Sequence, residues 1–221
     1  MTHSNHRRGS RESLMGDWVI LVRGDTGGQP DKMKKLVKIF GNHNPVGLVK
    51  RRSLPSLRYM KNWKEGLGLK ELVKNPDPPI YVAGVYVKKE DVEGVIHDLK
   101  IADLGFSIVI SGVFDEVFDI CKRVGTGPHT VNLSMGTLGK TEYLPEDKIL
   151  EVMTMCGHSL VGEPLIRHVI DQVSNGRMTT EEAGLELGKQ CVCNYFNSVR
   201  ASNLIKEYLD TKNLKTKNQI N

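Results

Sequence analysis

The sequence predicts an α/β protein with a Rossmann-like parallel sheet and a helical C-terminal layer. Three observations carry that expectation. Strand-type and helix-type patterns alternate between residues 80 and 134. The middle strand pattern, residues 106–111, is a short, continuous apolar run of the kind buried on both faces of a parallel sheet. After Thr141 the strand patterns stop and helical periodicity alone continues.

Taken in order, residues 1–15 are polar, carry Arg7, Arg8 and Arg11, and are expected to form a disordered leader. Residues 17–23 are β-rich and short, hence a strand. Residues 31–40 place Met33, Leu36, Val37 and Phe40 at helical spacing, and Gly41 and Asn42 stop the helix. Residues 44–75 mix Gly, Pro, Trp63, Tyr59 and many cations, and predict short helices and loops. The run Pro76-Asp77-Pro78-Pro79 punctuates the chain before its clearest part. There, strands near 80–87, 106–111 and 129–134 are separated by helices over 89–103 and 114–124. Helices of that length are crossover connections, so the three strands are expected to be parallel neighbours.

Four helices follow, over 145–155, 160–173, 179–187 and 197–209, the third opened by a capping box of Thr179 and Glu182. The expected organisation is a leader 1–15, a basic segment 16–76 packed on the core, an α/β core 77–141, a helical cysteine-containing region 142–210 and a polar tail 211–221. No internal repeat is visible.

A chain of 221 residues fits one domain of this kind. Four cysteines are too few for a disulfide-stapled secreted scaffold, so reduced thiols in a cytoplasm are expected. No apolar stretch approaches the roughly 20 residues that cross a bilayer. Charge is unevenly spread: residues 1–76 hold 16 Lys and Arg against 6 Asp and Glu, although the whole chain carries only +5. A basic face of that kind suits an anionic small molecule or an acidic protein partner, or is simply a solvated surface.

Four sets of residues invite a chemical reading. Cys156, His158, Cys191 and Cys193 stand at two helix ends, and three thiolates with one imidazole suit zinc or an iron–sulfur cluster. Their C-x-H and C-x-C spacings are tighter than usual zinc spacings, and inert buried thiols or a redox cysteine remain open. Cys121 lies on an apolar helix face and reads as core. Ser134, Gly136, Thr137, Gly139 and Lys140 follow the third predicted strand. In an open parallel sheet a ligand binds beyond such a strand end, so these residues, with Gly112 after the second strand, are candidates for an anion or a nucleotide-like cofactor. The pattern matches neither a Walker A loop nor a dinucleotide fingerprint, and a plain loop is the alternative. Asp115 and Glu116 read as dipole-matched helix starters. Arg51, Arg52, Arg58, Lys61 and Lys64, interleaved with Tyr59 and Trp63, resemble a single-strand platform in composition, but no nucleic-acid motif accompanies them.

Three functions are compatible with these residues. One is a cytoplasmic small-molecule or cofactor-binding protein with a Cys/His metal site, serving cofactor or metallocentre metabolism. Another is a Rossmann-like transferase using a nucleotide or S-adenosylmethionine, with structural cysteines. The third is a non-catalytic subunit docking through its basic N-terminal third. A homodimer is compatible with each.

Overall fold

The computed structural model describes residues 7–24, 29–51 and 56–220, with side chains as far as residue 212. Five strands form one sheet: β1 (Trp18–Arg23), β2 (Gly47–Arg51), β3 (Leu57–Met60), β4 (Tyr81–Tyr86) and β5 (Ile108–Ser111). Their order is β3-β2-β4-β1-β5, and every pairing is antiparallel.

This overturns the Rossmann-like parallel sheet. The strands expected near 80–87 and 106–111 exist as β4 and β5, but β1 lies between them and pairs with both, Ile20 facing Gly84 on one side and Ile110 on the other. Because each is antiparallel to β1, β4 and β5 do run in the same direction. The crossover helix α4 (Lys89–Ala102) therefore joins parallel strands that are not neighbours. The same holds for β1, α2 (Pro30–Asn42) and β2, which flank β4. Two interlocked split β-α-β units make a ferredoxin-like sheet, with β3 added as an outer hairpin strand. Residues 129–134 form no strand; they are exposed chain following α5 (Phe114–Val124).

The buried residues of β1 explain its central place. Trp18, Ile20 and Val22 face one apolar cluster, and Val19 and Leu21 face the other. The first cluster is closed by α2, α3 (Leu69–Lys74), α4 and α5. The second is closed by α6 (Asp147–Met153), α7 (Glu163–Ser174), α8 (Thr180–Gln190) and α9 (Ser198–Ile220). The molecule thus has three layers, with the sheet in the middle. The capping box opening α8 is present, Thr179 Oγ1 accepting from Glu182 N and Thr179 N donating to Glu182. Gly184 lets α8 and α9 touch: a Cβ there would lie 2.3 Å from Ser198 O.

Of the leader, residues 1–6 lie outside the described residues, while Arg11–Leu14 form a single helical turn, α1. Arg7 reaches into the protein and pairs with Asp17, whose side chain is fully buried. Arg200 on α9 donates to the same carboxylate at 2.8 Å, and Asn197 donates to its other oxygen at 3.2 Å. An aspartate taken wholly out of water needs such partners, and here they tie the N-terminus to α9. The stretch expected as a polar tail continues α9.

Candidate thiol centre

Two turns of similar hydrogen-bonding pattern follow the C-terminal ends of α6 and α8. In the first, Cys156 N donates to Met153 O, and Ser159 N donates back to Cys156 O at 2.9 Å. In the second, Cys191 N donates to Gly188 O, and Asn194 N donates to Cys191 O at 2.9 Å. Each turn has a left-handed residue three places after its cysteine, Ser159 at φ 56° and Asn194 at φ 54°. Asparagine tolerates that region; serine does so at a cost of about 1–2 kcal/mol. Each turn then buries an apolar residue five places on, Val161 and Phe196, and opens a new helix seven places on, at Glu163 and Ser198. The C-terminal layer is therefore a duplicated helix–cysteine turn–helix unit.

The equivalence extends to the sulfurs. Backbone N–H groups of Leu160 and Val161 donate to Cys156 Sγ, and those of Tyr195 and Phe196 donate to Cys191 Sγ. His158 N adds a third donor to Cys156. The two turns meet like with like. The Cys156 and Cys191 side chains hydrogen-bond to each other, and, two residues on in each turn, Cys193 Sγ lies 3.4 Å from His158 Nδ1. The four residues singled out in the sequence are thus brought together as two contacting pairs. Among the described residues no group of three or more His, Cys, Asp and Glu is arranged as a metal-holding set.

The electrostatics follow from this geometry. The hydrogen bond with Cys191, helped by the three amides, lowers the Cys156 thiol to about 5 against the cost of burial. Cys191 is pushed up, first by its hydrogen bond with Cys156 and then by burial. The two thiols interact closely enough to titrate as a pair. Burial raises Cys193, partly offset by Arg51. Tyr81 at the start of β4 and Tyr195 pack in a tilted arrangement, 6.2 Å between ring centroids, near Cys191 and Cys193, and burial raises both phenols.

The outer hairpin has a purpose at this site. Arg58 on β3 donates to the carbonyls of Lys189 and Cys191, at 3.2 Å each, with its guanidinium 5.6 Å from the Trp63 ring centre. Asn194 Nδ2 donates to Tyr59 O at 3.1 Å, and Arg7 donates to Tyr195 O. These bracing residues escaped the sequence reading, which placed Arg58 and Tyr59 in a basic, aromatic patch. Arg52 of that patch lies outside the described residues. Arg11 spans Asp115 and Glu116, in keeping with their reading as helix starters.

The second candidate set fares differently. Without a strand at 129–134 there is no strand end for Ser134, Gly136, Thr137, Gly139 and Lys140 to occupy, and all five are exposed. Thr137 Oγ1 accepts from Arg8 at 2.6 Å, Gly136 N donates to Ser134 Oγ, and the Lys140 ammonium lies 5.8 Å from the Tyr143 ring centre. Gly112 stands apart from them, packed under Trp18, where a Cβ would come within 2.4 Å of the indole. It borders a cavity of about 580 Å³ enclosed by β5, α4, α5 and residues 126–132. Cys121 is buried in the wall of that cavity, consistent with core packing.

No helix among the described residues is long and apolar enough to cross a membrane. No protein-family model, no curated protein and no solved structure matches this chain.

Proposed function

We propose that this protein holds a thiophilic metal centre, zinc or an iron–sulfur cluster, between its two cysteine turns, and serves cofactor or metallocentre metabolism in a reducing compartment. The observation that carries the reading is the paired sulfur cradle. Five backbone amides converge on two adjacent sulfurs, Cys156 and Cys191. Amide donors of this kind stabilise sulfur bearing negative charge, and neutral thiols have no need of so many. Two neighbouring thiolates repel one another, so in the protein alone one of them keeps a proton. A divalent cation or cluster on the pair would let both sulfurs carry the charge for which the amides are arranged.

Cys193 and His158 complete a soft donor set of three sulfurs and one imidazole nitrogen, suited to zinc, cuprous copper or an iron–sulfur cluster. Their mutual hydrogen bond would give way, and both side chains would rotate toward the sulfur pair. His158 is exposed while the three cysteines are buried, so metal would enter and leave on the histidine side.

Anaerobic purification with elemental analysis and an absorption spectrum tests this. The expected result is about one metal ion or cluster per chain, lost in Cys191→Ser. Protein that is isolated anaerobically without metal and takes up neither zinc, cobalt(II) nor a reconstituted iron–sulfur cluster in reducing buffer would overturn it. A Cys156–Cys191 disulfide forming on mild oxidation of such metal-free protein would support the second reading. In that reading the hydrogen-bonded thiolate–thiol pair is a redox dithiol.

A further inference from the structure

We infer that the cavity between β5, α4 and α5 is a binding site for an uncharged, lipophilic small molecule. The cavity lies against the face of the sheet opposite the cysteine turns, so the inference stands independently of the proposed metal centre.

The first observation is where the core stops being filled. On this face Ile20 and Val22 of β1 are fully buried, and their partners across the ladder are Ile110 and Ile108 of β5. Those two isoleucines pack toward the same apolar cluster, yet they are only half-buried. The helical side is apolar as well: Ile96 and Leu99 of α4 are buried and line the same space. Apolar side chains thus border a space of about 580 Å³. Close-packed interiors leave few voids larger than a water molecule, whereas sites for small molecules hold about 300–1,000 Å³. Apolar walls give water few partners, so water is a poor filling for most of this space.

The second observation is charge. Residues 104–113, which contain β5, hold no Asp, Glu, Lys or Arg, and neither do residues 126–132, which form another wall of the cavity. The charged residues that border it are Lys100 and Asp103 at the C-terminal end of α4, both exposed. The Lys100 ammonium is turned to Val124 O, 2.7 Å away. An ionised ligand group buried here would lose its water without meeting an opposite charge. Residues 126–132 offer the hydroxyls of Thr126 and Thr130 and the amide of Asn132 instead. Such groups suit a neutral polar end, a hydroxyl or a carbonyl, on an otherwise apolar ligand.

The third observation is at the border of the cavity. Three of the chain's five phenylalanines, Phe106, Phe114 and Phe118, line it. Phe114 and Phe118 stack with centroids 6.0 Å apart and are 41% and 40% exposed. Two adjacent rings left partly in water beside an apolar cavity are surface that a bound lipophile would cover.

Titration of the intact protein with a neutral phenylnaphthylamine probe, followed by the probe's fluorescence, tests the assignment. The expected result is saturable binding of about one probe per chain. Dodecanol should displace the probe at least about tenfold more readily than dodecanoate at neutral pH, because the carboxylate would be buried without a partner. Two substitutions locate the site by different means. Phe118→Glu sets a charge at the cavity on a side chain already partly in water, and Cys121→Phe fills space from the wall. Each should weaken probe binding at least about tenfold while circular dichroism shows a folded protein. Wild-type protein without saturable binding would overturn the inference. So would equal displacement by dodecanoate, which would mean a site for anions, or full probe affinity in either folded variant, which would place the probe elsewhere.

Discussion

The two cysteine turns share their backbone and differ in how they are held. The Cys191 turn is clamped from three sides: Arg58 and Tyr59 of the outer hairpin, Arg7 of the N-terminal segment, and α9 through the Asp17–Arg200 pair. The Cys156 turn hangs from α6, and its His158, Ser159 and Leu160 are exposed. One half of the centre is therefore braced by side chains from other segments, and the other presents part of its turn to solvent. In the proposed reading that asymmetry would give a metal its route to the buried sulfurs, since a cradle rigid on both sides would have none.

The strongest way to break the comparison is to release the clamp. Asp17→Ala would leave Arg7 and Arg200 buried without their shared carboxylate, and removing one partner of a buried ion network costs about 3–5 kcal/mol. The expected outcome in denaturant unfolding is a large drop in midpoint. Local exchange at residues 191–197 should rise more than at 156–161. Equal loosening of both turns would show that the asymmetry is only apparent. Arg58→Ala removes a narrower brace, leaving the Lys189 and Cys191 carbonyls without that donor. The expected loss is about 1–3 kcal/mol, again concentrated in the second turn.

How much of this was legible in the sequence follows from what periodicity can encode. Alternation and length found β1, β4, β5 and the helices between them, and helix-length crossovers correctly imply that β4 and β5 point the same way. Nothing in those patterns says which strand slots between them. That depends on the two-sided burial of Trp18–Val22, which competes for the central position only once the chain has folded. The pattern at 129–134 misled for the converse reason, because strand alternation marks a propensity and a ladder needs a partner. Among the site residues, the cysteines and His158 stood out by type. The duplication did not, because its equivalent positions match in role and not in identity: Ser159 with Asn194, Val161 with Phe196, Gly162 with Asn197. A search for a cysteine followed at +3 by a residue tolerant of the left-handed region, and at +6 by a helix cap, would have found both copies.

The coupled thiols of the two turns give a pH-dependent form of the comparison. Cys156 is depressed in the folded protein, so its contribution to stability is fully present above the unfolded thiol range, near 9. That contribution is lost as pH falls toward about 5. Cys191 and Cys193 are raised, so the stability tied to their protonated forms is present below that range and declines as pH climbs above it. Metal-free, reduced protein should therefore become more stable from pH 5 towards 9 and less stable beyond. Thermal melts of Cys156→Ser should show the acid limb flattened and the alkaline limb retained. Ultraviolet thiolate absorbance of the wild type at neutral pH should disappear in the same variant. An acid limb that survives the substitution would assign it to carboxylates elsewhere.

The smallest expected effect on stability is at His158, and it is the most discriminating. Its side chain is exposed and its sequence position matches Cys193 in the duplicated turn, and His158→Ala removes the hydrogen bond to Cys193. A surface change of this kind shifts stability by about 0.5 kcal/mol or less. If the imidazole is the outward member of a set of three sulfurs and one nitrogen, the same variant should bind cobalt(II) or zinc more weakly and release it faster to a chelator, with the folded state otherwise intact. His158→Cys should restore binding, because it recreates at the first turn the ligand that the second already carries. Restored affinity would confirm that the two turns are functional equivalents as well as structural ones. Wild-type-like metal retention in His158→Ala would place the centre on the three sulfurs alone and reduce the histidine to a hydrogen-bonding partner of Cys193.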